Sequence, residues 1–224
     1  MFNFFQKSDS QIQQDVINEI KWDQSIQSSS ISVTTHDGVV TLRGNVPHYY
    51  EKTQSEAAAQ RVGGVRAVVD EIEVNIMGSY ERSDEQIAEA VLNALKWNYS
   101  VPKDTIKVIV EKGKITLKGE VEWDYQRTAA KSAVSDLMGV SSVINNILIK
   151  NKNISKPAEI RSFIESALKR SAEGEGRNIS VKINGDKAIL SGNVHSFSEI
   201  DVANQAAWMA PGIMSVENNI TISQ

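Results

Sequence analysis

The chain repeats itself three times, and no other feature restricts its fold as much. Ile31, Val33, Leu42, Gly44, Val46, Gly64, Val68 and Ile72 return 75 residues later as Ile106, Val108, Leu117, Gly119, Val121, Gly139, Val143 and Ile147. They return after a further 73 residues as Ile179, Val181, Leu190, Gly192, Val194, Gly212, Val216 and Ile220. A period this long marks copies of a whole small domain, not of a single helical or β unit. The 224 residues therefore divide into a leading segment, 1–7, and three modules at 8–75, 83–150 and 155–223. A lone domain of about 67 residues buries only about 60% of the surface its unfolded chain exposes. Each module is expected to lean on its neighbours.

Every copy reads as helix, strand, strand, helix, strand. The first helix opens on a capping box, Ser8 to Gln11 and Ser83 to Gln86, and in the third copy on Ser155 and Pro157. It then sets apolar residues at helical spacing: Ile12, Val16, Ile20; Ile87, Val91, Leu95; Ile160, Ile164, Leu168. Alternating strands follow, turned at Asp37-Gly38, Lys112-Gly113 and Asn184-Gly185, which predicts a hairpin. The second helix carries a small inner stripe (Ala58 and Ala59; Ala130 and Ala133; Ala206 and Ala207), and a glycine turn leads by a crossover to the last strand. The expected class is α+β, each module a small mixed three-stranded sheet packed against two helices.

Composition removes several functions. With no cysteine there is no disulfide, thiolate chemistry or cysteine zinc site. The net charge of −4, with acids at least matching bases in every module, argues against a nucleic-acid binder. His36, His48 and His195 have no ligand spacing, which leaves metal binding open only as a site shared between chains. Gly174-Glu175-Gly176 is too acidic for a phosphate loop, and Glu120, Glu122 and Asp124 alternate around a strand end where they need not converge as acid and base. No catalytic residue and no cofactor is expected. The start, Met1 to Lys7, lacks a basic region and a long apolar run, so a cytoplasmic protein is expected, with room for a peripheral place at the inner membrane. Phe2, Phe4 and Phe5 suit either such a place or a dock on the protein's own surface.

Differences between the copies point to contacts. On the outer stripe of the second helix, Lys52, Glu56, Gln60 and Arg127, Lys131, Ser135 become Ile200, Asn204, Trp208, with Met209 beside them. Ile200, Trp208 and Met209 are therefore expected at an interface with another module or another chain. In the middle module Lys103, Lys107, Lys112, Lys114 and Lys118 gather in or beside the hairpin, with Lys107, Lys114 and Lys118 on its outer face, a candidate surface for anionic headgroups. Trp22 and Trp97 close the first helix in two copies and are read as lids on the core, with Arg170 at that place in the third. Tyr49, Tyr50, Trp123, Tyr125 and Phe197 mark the entry to the second helix.

The order of elements, Gly44, Gly119 and Gly192 after the second strand, and the Gly-Val or Gly-Ile before the last one resemble the BON (bacterial OsmY and nodulation) domain, three times over residues 8 to 223. The chain is similar to the unexported, triple-domain type. The resemblance implies a non-catalytic module that binds membrane phospholipid or a partner, with a structural glycine. Alternatives are a protein responsive to an ion, potassium or a divalent metal such as zinc, and a purely structural oligomer.

Overall fold

The computed structural model describes residues 7–150, 156–171 and 179–223. Phe2, Phe4, Phe5, Ser155 and Gly174 to Gly176 lie outside the described residues. The first module runs α1 (Asp9–Trp22), β1 (Ile31–His36), β2 (Val39–Val46), α2 (Tyr49–Arg61) and β3 (Ala67–Val74). The second has α3 (Asp84–Trp97), β4 (Ile106–Glu111), β5 (Lys114–Val121), α4 (Asp124–Ser135) and β6 (Ser142–Ile149). The third has α5 (Pro157–Arg170), β7 (Ile179–Asn184), β8 (Lys187–Val194), α6 (Phe197–Trp208) and β9 (Ser215–Ile222). Each sheet is mixed as expected: its central strand pairs antiparallel with the first strand and parallel with the third.

The capping boxes at Ser8 and Ser83 form, and Pro157 stands in the first turn of α5. Both helices of a module cover one sheet face, where Ile12, Val16 and Ile20 meet Val40, Leu42 and the alanines of α2. The same layers recur around Leu117 and Leu190. The alanines let helix and sheet approach without a gap.

The hairpin turns separate the third module from the others. In the first two, Asp9 and Asp84 at the head of the first helix accept hydrogen bonds from both turn N–H groups, Asp37 and Gly38, Lys112 and Gly113, at 2.8–2.9 Å. In the third the corresponding residue is Pro157, and the turn is Gly185-Asp186, not Asn184-Gly185, because Asn184 stays in the ladder opposite Lys187. Gly185 takes the positive φ of +62° at the first turn residue, the place held in the other turns by Asp37 and Lys112. Bonds from Gly38 and Gly113, the strongest influence, with those from Asp37 and Lys112, hold the Asp9 and Asp84 carboxyls below the usual aspartate value. A lowered folded-state value contributes stability above the ordinary pKa and loses it as pH falls through the folded one. Thermal melts should show wild type losing more stability between pH 5 and 3 than the double variant Asp9→Asn, Asp84→Asn.

Among the described residues, Thr35 Oγ1 is the one buried side-chain polar atom without a partner. Val110 and Ile183 hold the matching inward positions of β4 and β7. Thr35→Val should therefore stabilise the first module by about 1 kcal/mol, as read by urea titration.

On the last strand of each sheet, an edge strand, one N–H is taken by a side chain of the same strand. Asp70 accepts from the Ile72 N–H at 2.9 Å, Asn145 from Ile147 at 3.2 Å and Asn218 from Ile220 at 2.9 Å. The second helix holds each of these residues: Lys52 donates to Asp70, Asn145 donates to the Arg127 carbonyl, and Asn218 donates to Asn204.

Candidate binding surfaces

The modules meet through their second helices. Tyr49, the first residue of α2, packs on the core of the second module and lines a cleft with Tyr50, Glu51, Ser135, Leu137 and Met138. Burial raises the Tyr49 phenol above its ordinary pKa, while the Val143 backbone beside it pulls the other way. Trp208 packs against the cores of both the second and third modules, and the Arg127 guanidinium lies over its ring, 4.4 Å from the centroid. Phe197, the first residue of α6, packs on the core of the first module, and α2 lies against α6. The contacts run from first to second, second to third and third back to first. Size is exchanged between them: an aromatic helix start, Tyr49, faces small Ser135, whereas Asp124 starts the helix where Trp208 fills the corresponding place.

Ile200 is half-buried on α6, and Met209, at 76% exposed, lies outside the packing that holds Trp208. Met209 keeps helical dihedrals at the end of α6, so one residue's step of about 100° carries its side chain away from the direction of Trp208.

The five lysines in or beside the second hairpin are all exposed but do not share one place. Lys107 and Lys118 stand opposite each other on the outer sheet face, and Lys114 stands opposite Glu111. Ile109 and Ile144 are exposed on that face between them, and Leu148 is exposed beyond Lys118. Lys112 is in the hairpin turn and Lys103 precedes β4, the two separated by the length of that strand, about 16 Å.

Trp22 and Trp97 are not core lids. They are 76% and 85% exposed, and Tyr99 is fully exposed. The inward stripes end at Ile20 and Leu95, and a step of two residues turns the side chain about 200° to the opposite side of the helix. The helix ends instead carry exposed indoles beside Lys21 and Lys96, and Lys103 follows in the loop after α3.

The histidines do not meet. His36 is exposed beside Asp37, His48 stands edge-on to Tyr80 at 4.5 Å, and the His195 N–H donates to Glu199. Among the described residues no three His, Asp or Glu side chains are placed to hold a metal. Glu120 pairs with Lys150 and Asp124 with Arg127, so these two acids answer to separate bases. Among the described residues no helix is long and apolar enough to cross a membrane.

The model of the BON domain matches residues 8–76, 83–151 and 157–224. The chain belongs to the BON family. A curated BON relative, osmotically-inducible protein Y of Escherichia coli K12, is 31% identical over 130 residues, 56% of this chain and 65% of its own length. Outer membrane lipoprotein DolP of Haemophilus influenzae is 30% identical over 132 residues, 58% of this chain and 68% of its own. This chain thus spans about two thirds of the relatives it matches. Among solved structures, CdsD, a structural protein of the Type III secretion system of Chlamydia trachomatis, covers 94% of this chain and 91% of its own at 17% identity and a TM-score of 0.26. The PrgH periplasmic domain aligns at 8% identity and a TM-score of 0.21. Those scores are too low to relate the placement of the BON modules here to either protein. Sequence reasoning had the two exposed tryptophans in view but missed their exposure, although the helical stripe that ends two residues earlier carried the signal.

Proposed function

We propose that this BON chain acts by binding and not by catalysis, as an adaptor at an anionic membrane surface in an envelope or stress setting. The second module makes the contact through the end where α3 stops. The observation that carries this reading is the exposure of Trp97 and Tyr99, 85% and 100%, in a segment flanked by Lys96 and Lys103. Indole and phenol rings favour the water–lipid boundary, and each lysine near an anionic surface adds about 1 kcal/mol. Lys107 and Lys118 lie one step inside the same end of the sheet and extend the positive charge. The names of the relatives, an osmotically inducible protein and an outer membrane lipoprotein, support the setting.

Co-sedimentation with vesicles of phosphatidylglycerol and phosphatidylethanolamine tests it. Trp97→Glu should weaken partition at least about tenfold, with Lys112→Glu at the far end of the module close to wild type. Wild-type chain that stays in the supernatant, or Trp97→Glu that sediments unchanged, would overturn the reading.

A further inference from the structure

We infer that docking is bivalent: the closed cycle of modules presents Trp22 and Trp97 at one level, so a single anionic bilayer takes up both, with Lys169 and Arg170 of the third module at the corresponding place. This rests on the membrane reading above and extends it from one module to the whole chain.

The first support is the cycle itself. Tyr49 and Phe197 occupy corresponding positions, and each packs on the core of the next module round, the second and the first respectively. Arg127 and Trp208 close the remaining junction through the same pair of helices, α4 and α6. Head-to-tail contacts that return to their starting unit define a ring, here one with approximate threefold rotation. Residues that correspond in such a ring lie at equal height along its axis.

The second support is what stands at that height. The last two residues of the first helix are Lys21-Trp22, Lys96-Trp97 and Lys169-Arg170, and all six are exposed. Of the two acids that flank Trp22, Glu19 is paired with Arg61 at 2.8 Å, and Asp23 keeps its charge while it turns back to accept hydrogen bonds from the hydroxyl and N–H of Ser25. Four exposed cations and two exposed indoles stand at that height, a combination complementary to anionic headgroups over an apolar layer. Because the ring fixes both indoles on one body, insertion of the first places the second at the surface, and linked sites of this kind gain about 100-fold or more over one alone.

The experiment uses the full chain, the same vesicles, and brominated lipid as a quencher of tryptophan fluorescence. Trp22→Glu and Trp97→Glu should each lower partition at least about tenfold. The fluorescence lost on deleting either indole, in Trp22→Phe and Trp97→Phe, should show both rings quenched to the same extent. Both residues are exposed, so thermal melts should match wild type and exclude misfolding as the cause. Trp22→Glu that binds like wild type, or Trp22 unquenched while Trp97 is quenched, would overturn bivalency and leave docking by the second module standing. Loss confined to Trp22→Glu, or wild type that binds no vesicles, would overturn both.

Discussion

Alanine in place of Gly119 is expected to destabilise the second module by about 3 to 5 kcal/mol, a large effect for a single methyl group. Gly119 sits at φ +150° opposite Ile106, and a Cβ there would come within 2.1 Å of the Thr105 carbonyl oxygen. That oxygen belongs to the main chain at the start of a ladder, so it cannot swing aside as a flexible side chain would. Gly44 meets the Ser30 carbonyl in the same way, at 1.9 Å. Urea titration of Gly119→Ala gives the magnitude, and hydrogen exchange should place the loss in residues 106–149. A change below about 1 kcal/mol would show that the strand shifts to make room.

Trp208→Ala is expected to cost about 3 kcal/mol, and the loss should fall on the junction more than on the third module alone. The side chain packs on two cores at once and carries the Arg127 guanidinium on its face. Its removal leaves α4 and α6 with a void between them, and thermal unfolding should separate into two transitions where wild type shows one. Trp208→Phe should restore a single transition, because the ring is what fills the space. Met209→Ala, one residue on and 76% exposed, should stay within about 0.5 kcal/mol of wild type.

Most of the fold was legible because it is written three times. Alternation in Val40 and Leu42, the 3.6-residue stripe from Ile12 to Ile20 and the capping boxes at Ser8 and Ser83 each report a local preference, and repetition separates them from chance. The third hairpin departed by one residue, since in a chain of like copies the ladder register, Asn184 opposite Lys187, decides which residue turns. The module junctions were only partly legible. Trp208 stands out among Gln60 and Ser135, but its meaning depends on Asp124 being small where Tyr49 and Phe197 are large, and those residues belong to the opposite end of another helix. Local patterns say which face of a helix is buried, not which neighbour buries it. The exposure of Trp22 and Trp97 was hidden by a prior on residue type, indoles being mostly buried, which outweighed their angle on the helix.

The side chains of Asp70, Asn145 and Asn218 that fold back onto their own strands bear on how such a chain comes to be made at all. Three neighbours of nearly the same pattern, emerging one after another from the ribosome, offer each other false partners at close range. An N–H already taken by the residue two places earlier cannot recruit a strand from the wrong copy, so each unit can finish its own sheet before the next one arrives.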